Sequence, residues 1–226
     1  MCDFKLYTTK SHISPVQNMK QAKLLNPAEF KRLTAVIDSK RHSVRNHAVV
    51  ALSFYAGLRA CEIAGLRVGD VYETNGTVRD SFYLRAEQTK GSDGNTVLVN
   101  KRLAAVLRRY AAANPRHCAK SDVALIYSGK GGGFTPQTIV NLFAALYAAA
   151  GITGASSHSG RRQFVTGLAD KGINPRVIQI LVRHRNLNTT MVYIDAREGK
   201  LLKAIKMVGS INPIHHAHLE VSAIHL

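Results

Sequence analysis

Apolar residues recur along much of this chain with a helical period. Leu103, Val106, Leu107 and Tyr110 stand at i, i+3, i+4 and i+7, and Ile139, Leu142, Phe143 and Leu146 repeat the spacing. One face of a 3.6-residue helix collects such positions, so both stretches are predicted to be amphipathic helices. Their ends carry the matching punctuation: Asn100 and Thr135-Pro136 at the starts, Asn114-Pro115 and Gly151 at the ends. Asn26-Pro27-Ala28-Glu29 opens an earlier helix with an N-cap, a proline at the first helical position and a glutamate at the third. A second helix is expected from about Ser43 to Tyr55, stopping at Gly57, and a short one from Arg59 to Ala64, closed by Gly65. Asn174-Pro175 opens another, and Asn188 is expected to cap the helix bearing Tyr193. Beyond it, Leu201, Leu202, Ile205 and Val208 share a face, with Lys200, Lys203 and Lys206 outside.

The period changes in one place. Ser81–Arg85 and Thr96–Val99 are rich in β-branched and aromatic residues, and the loop between them, from Gln88 to Asn95, has two glycines. This predicts a β-hairpin with Lys90 near its tip. The expected fold is therefore mainly α with a small antiparallel sheet. Residues 1–24 are basic and aperiodic and are expected to be a flexible arm; an ordered domain is expected over 25–208 and a tail over 209–226. No internal repeat or low-complexity tract is present.

Composition changes the picture through charge. The formal net charge is +17 and the pI about 10.2. A protein so basic repels itself unless it meets a polyanion, so nucleic acid is the expected partner. An anionic membrane surface is the alternative, but the weakly polar run from Leu142 to Ile152 is too short to span a bilayer. The N-terminus, MCDFKLYTTKSH, has no apolar run of a signal peptide. Cys2, Cys61 and Cys118 are odd in number and lack CxxC spacing, which argues against a zinc site or a disulfide framework. A reducing cytoplasm is the expected location, and no membrane is expected as a partner.

Five short segments carry candidate chemistry: Gly57-Leu-Arg-Ala-Cys-Glu62, Thr89-Lys90-Gly91, His158-Ser-Gly-Arg161, His184, and Tyr193 nine residues after that histidine. In order and spacing they resemble the catalytic domain of the tyrosine recombinase (phage integrase) family, over roughly residues 25 to 208. A phosphodiester gathers charge on its non-bridging oxygens during attack, and preorganised cationic donors stabilise that charge. Arg59 and Arg161 suit the task, since a guanidinium makes paired bonds to phosphate and stays charged. Each is weighed against an ordinary salt-bridging arginine; Arg59 and Glu62, three apart on a helix, could simply pair. A phenol is a weak nucleophile near neutral pH and needs a cationic site and a base to activate it.

The resemblance implies that Tyr193 is the nucleophile, that His158 is the general acid–base, and that His184 bonds the scissile phosphate or the tyrosine. It implies that Lys90, with Lys101 as rival, protonates the departing 5′ oxygen, and that Glu62 orients its neighbours. It implies transesterification through a 3′-phosphotyrosine, with strand exchange through a Holliday junction. Double-stranded DNA would be the substrate and a homotetramer on paired sites the working assembly, with an accessory DNA-bending protein as a possible partner. No cofactor or metal is expected; the histidines of Ile214-His-His-Ala-His218 are read as an unspecific tail.

The chain departs from the family pattern at three places. Arg162 follows Arg161 where many members carry histidine, and Arg183 precedes His184 where glycine is common. Together with Arg185 they add positive charge and are expected to bind DNA. About two dozen residues precede the catalytic domain, which likens the chain to short members without a core-binding domain, such as the invertases of fimbrial promoters. Two rivals are a type IB topoisomerase, which rejoins the same strand, and a DNA-binding regulator with a dispensable catalytic set. An RNA-binding protein is the more distant reading, with aromatics at 7%.

Overall fold

The structure is a computed structural model that describes residues 21–88, 94–128 and 131–193. The described residues form ten helices, α1 (Pro27–Asp38), α2 (Ser43–Ala56), α3 (Ala60–Gly65), α4 (Val68–Val71), α5 (Lys101–Ala113), α6 (Pro115–Cys118), α7 (Pro136–Ala149), α8 (Ser159–Asp170), α9 (Pro175–Val182) and α10 (Leu187–Met191). One antiparallel hairpin joins β1 (Ser81–Leu84) to β2 (Asn95–Leu98). The fold is thus mainly helical with a small sheet, as expected.

Helix α2 lies at the centre because its sequence is apolar or small on nearly every side. Ala48, Val49, Val50, Ala51, Leu52, Phe54 and Ala56 are all buried, as befits a helix without a polar face. It packs between α5 and α8, while α1 covers α2 and α7, and α3 sits on α7. The inward stripe of α5 is the one its spacing predicts, with Leu103, Leu107 and Tyr110 fully buried. Tyr110 takes its hydroxyl into the core by donating to the Leu125 carbonyl at 2.7 Å. On α8, a Cβ at Gly160 would lie 2.3 Å from Ser53 Oγ and 2.6 Å from a Phe54 ring carbon. Only glycine lets α8 approach α2 so closely, and α8 carries Arg161.

The caps follow the sequence with two differences. Asn26 accepts from the Glu29 N–H at 2.8 Å and Glu29 accepts from the Asn26 N–H at 3.1 Å, a reciprocal capping box. Asn100 and Thr135 cap α5 and α7 through their side chains. Gly65, however, is the last helical residue of α3 rather than a left-handed stop. Its lack of a side chain admits Gln88, whose Cγ would stand 3.1 Å from an added Cβ. Asn186, not Asn188, caps α10, accepting from the Asn188 N–H at 2.8 Å, and Tyr193 follows that helix instead of lying within it.

In the hairpin, Phe82 faces Val97 and Leu84 faces Asn95. Phe82, Leu84 and Val97 turn into the core and Tyr83 and Leu98 outward, the alternation of a half-buried sheet. The hairpin tip with Lys90, the arm up to residue 20, and everything after Tyr193, including the 201–208 stripe and the tail histidines, lie outside the described residues. Among the described residues, no helix is long and apolar enough to cross a membrane, and no His, Cys, Asp or Glu cluster could hold a metal ion.

Candidate active site

Three chain turns meet at one place. The first joins α2 to α3. Gly57 ends α2 in the left-handed conformation (φ 64°), and an added Cβ would lie 2.8 Å from a Phe164 ring carbon. Arg59 then caps α3, its N–H donating to Glu62 Oε2 at 2.9 Å and its guanidinium to Glu62 Oε1 at 2.6 Å. The second is the start of α8. Arg161, in its first turn, is buried and donates to the Gly57 carbonyl at 2.6 Å and to the Val182 carbonyl. The third is the turn from α9 to α10, where Arg183 and His184 stand. Gln179 clamps it: its backbone carbonyl accepts the His184 N–H at 3.1 Å, and its side-chain amide donates to the His184 carbonyl at 2.9 Å.

Arg183 is not where the sequence puts it. It adopts φ 58°, ψ 46°, the only non-glycine residue with positive φ among the described residues. Its side chain is 3% exposed and bonds Glu62 Oε2 at 3.2 Å. The expected DNA-facing arginine is instead part of the inner cluster. Arg162 is also engaged by the chain itself, its guanidinium donating to the Ala22 carbonyl at 2.5 Å. Arg185 is exposed beside the site. His158 occupies the exposed N-cap of α8, one turn before Arg161, with its N–H on Ser156 Oγ at 3.3 Å.

Glu62 is fully buried among three guanidiniums. Burial alone would raise its carboxyl, but the charges of Arg183 and Arg161 and the bonds from Arg59 override this and hold it below the usual range. Arg161 pays in the opposite sense: burial, then repulsion from Arg59, pushes it down to about 9, which leaves it cationic at neutral pH. The cluster therefore holds an excess of positive charge, fixed in place and mostly shielded from water. Such a site is suited to an anion with developing charge.

His184 and Tyr193 complete the site. The His184 ring is buried, its Nδ1 lies 2.9 Å from Thr190 Oγ1, and the Tyr193 ring stacks on it at 5.9 Å and 18°. Tyr193 also packs on a small separate core of Val165, Ile178 and Val182 from α8 and α9. Burial first, then the charges of Arg161, Arg59 and Arg183, push His184 down to about 4, so its imidazole is neutral at pH 7. The unfolded chain has an ordinary histidine near 6.5 and binds a proton that the folded one refuses. This stability is fully present above about pH 6.5 and is lost as pH falls towards 4. Between about pH 7 and about pH 5 the contribution of His184 is expected to fall by about 2 kcal/mol. Urea melts at the two pH values should show this loss, and His184→Gln should shrink it; an equal loss in the variant would assign it to other groups.

The structure brings together Arg59, Glu62, Arg161, His184 and Tyr193 from separate parts of the sequence. Arg183, Gln179 and Thr190 were not expected among them. Thr190 had one visible sign, its place six residues after His184 just ahead of Tyr193; Gln179 had none.

Known proteins resemble this chain in sequence and in fold. A profile of the phage integrase family matches residues 23–200. A tyrosine recombinase XerD of Neisseria meningitidis serogroup A is 31% identical over 186 residues, covering 81% of this chain and 62% of its own. A tyrosine recombinase of Pseudothermotoga lettingae is 27% identical over 203 residues, covering 85% and 65%. The chain thus spans under two thirds of the length of these curated relatives. Among solved structures, the XerA recombinase superposes with a TM-score of 0.66 at 23% identity, over 83% of this chain and 65% of that one. The XerH recombinase bound to its difH substrate gives 0.64 at 19% identity, over 89% and 58%. Residues 23–200 are most of the sequence, and the chain belongs to the phage integrase family.

Proposed function

We propose that this chain is the catalytic part of a site-specific DNA recombinase. The observation that carries the reading is the Arg59–Glu62–Arg161 cluster with Tyr193 stacked on His184 beside it. In this reading the Tyr193 oxygen attacks a DNA phosphorus and the bond to the 5′ oxygen breaks, leaving a 3′-phosphotyrosine. Arg59 and Arg161 hold the non-bridging oxygens. In this reading the Thr190 hydroxyl, 2.9 Å from Nδ1, acts as the donor, so that His184 carries its proton on Nε2 and can donate it to the phosphate or the phenol. His158 takes the phenolic proton, and Lys90 gives one to the departing 5′ oxygen. A 5′ hydroxyl of another strand reverses the step, so the bond energy is conserved and no nucleotide is consumed. The net charge of +17 and exposed Arg185 favour duplex DNA as substrate. Four copies on two sites, with a DNA-bending protein at some sites, would make strand exchange reciprocal.

The test begins with selection of bound duplexes from a random library by the full chain. A selected duplex is then nicked near the cleavage position, so that the freed fragment diffuses away and traps the intermediate. A covalent protein–DNA band on denaturing electrophoresis, mapped by mass spectrometry to Tyr193, is the expected result; retention of duplex with no covalent band would leave a DNA-binding regulator. Cleavage is expected to persist in EDTA, because guanidiniums supply the positive charge that divalent metals supply elsewhere. Loss in EDTA with recovery in magnesium would contradict that assignment.

A further inference from the structure

The Arg183 side chain is buried at a position whose backbone favours glycine, so something holds it there. In the left-handed region an L side chain is crowded by its own backbone, a strain glycine does not feel. A buried guanidinium also loses its hydration unless bonds replace it. Here they do. One terminal nitrogen donates to the Leu181 carbonyl at 3.0 Å, and the other lies 3.2 Å from Glu62 Oε2 and 3.4 Å from the Gly57 carbonyl. The two latter acceptors belong to the first turn of α3 and to the α2–α3 turn. Arg161 bonds the same Gly57 carbonyl from α8.

The pairing on Glu62 is divided. Oε1 takes the Arg59 guanidinium, while Oε2 takes the Arg59 N–H and Arg183. Without Arg183, Arg59 would be the one guanidinium bonded to the carboxylate, with Arg161 acting only through its charge, and a guanidinium neutralised by its own neighbour binds a phosphate less well. Arg59 is also the partly exposed member, with 26% of its side chain accessible against 3% for Arg183. Of these two partners of Glu62, Arg59 is therefore the one able to meet DNA.

We propose that Arg183 is a positioning residue, sharing the Glu62 charge so that Arg59 stays available to phosphate, and tying the His184 turn to the Arg59 turn. This rests on the recombinase reading above. It predicts an effect on the chemical step without a comparable effect on DNA affinity. In the full chain, Arg183→Gly removes the guanidinium and also removes the backbone strain, so the fold is expected to persist. Single-turnover adduct formation on the nicked duplex, at saturating protein, is expected to fall between about tenfold and about a hundredfold, the scale of a small misplacement of catalytic groups. The dissociation constant for the unnicked duplex is expected to stay within about threefold, since few phosphate contacts are lost. Arg183→Lys keeps the charge but, as a single point donor, cannot reproduce the planar fork; it is expected to recover part of the rate.

Adduct formation by Arg183→Gly at the wild-type rate would overturn the proposal, as would a fall in affinity that accounts for the whole loss. If circular dichroism finds Arg183→Gly unfolded, Arg183→Lys decides: a slower rate at unchanged affinity supports positioning, and the wild-type rate overturns it. Failure of the wild-type chain to form any adduct overturns the recombinase reading itself, and the proposal with it, a result distinct from normal cleavage in the variants.

Discussion

Tyr193→Phe is expected to abolish the covalent protein–DNA band while leaving duplex binding and stability nearly unchanged. Only the phenolic oxygen is removed; the ring keeps its stack on His184 and its packing on Val165, Ile178 and Val182. A partly exposed hydroxyl of this kind contributes little to folding, so the change in stability should stay within about 0.5 kcal/mol. The loss of adduct is expected to be complete because no other described tyrosine is placed to substitute. Tyr72 and Tyr110 donate their hydroxyls to the carbonyls of Leu107 and Leu125 inside the core, and burial pushes both phenols far up. Tyr147 is buried and pushed up for the same reason. Tyr127 bonds Asn114, Tyr83 stands on the outer face of the hairpin, and Tyr55 packs half-buried against the main core. None of the three stands in the arginine cluster. A covalent band that survives in the variant, mapped to one of these, would remove Tyr193 from its role.

What the sequence revealed follows from which faces are apolar. Leu103, Leu107 and Tyr110 announced α5 because its buried stripe is made of large hydrophobic residues. Helix α8, which carries Arg161, gave no such sign. Its buried side is Ser159, Gly160, Arg161 and Val165, and small and charged residues at those positions hide the period. The same choice builds the site: Gly160 admits α2, and Arg161 reaches across to Gly57. Periodicity therefore failed at the helix where chemistry displaced packing. The spacing of His158, Arg161, His184 and Tyr193 found the cluster by another route, through the order of the motifs.

Arg183 marks a different limit. A glycine there would have declared the left-handed turn; an arginine declares only charge, and a charge is ordinarily solvated. Its direction depends on Glu62, 121 residues earlier in the chain, and no local rule connects the two. The Asn188 reading failed more simply. Asn186 and Asn188 are both able to cap, and the Asn186 side chain, two residues ahead, reaches the Asn188 N–H and starts the helix first.

Arg161→Ala is expected to slow adduct formation by about two to three orders of magnitude, the usual scale for removing one preorganised donor to developing charge. Its effect on stability is expected to be much smaller, because two contributions oppose. The variant removes the Arg161 bond from the Val182 carbonyl and leaves the Gly57 carbonyl only the longer one from Arg183; a buried acceptor left unpaired destabilises by about 1–3 kcal/mol. It also removes a buried cation that lies near Arg59 and Arg183, whose charges, with burial, already work against it. The fold holds Arg161 charged at a cost, and deleting the charge returns that cost. Glu62 loses one of its cationic neighbours but keeps its bonds to Arg59 and Arg183, so no charge is stranded. The melting temperature is therefore expected to drop by only a few degrees, at roughly 2–4 °C per kcal/mol for a chain of this size. Arg161→Lys, with charge but no fork, should sit between in rate. A melting temperature lower by more than about 10 °C, with the rate restored in whatever fraction remains folded, would make Arg161 a bolt between turns rather than a partner of the phosphate.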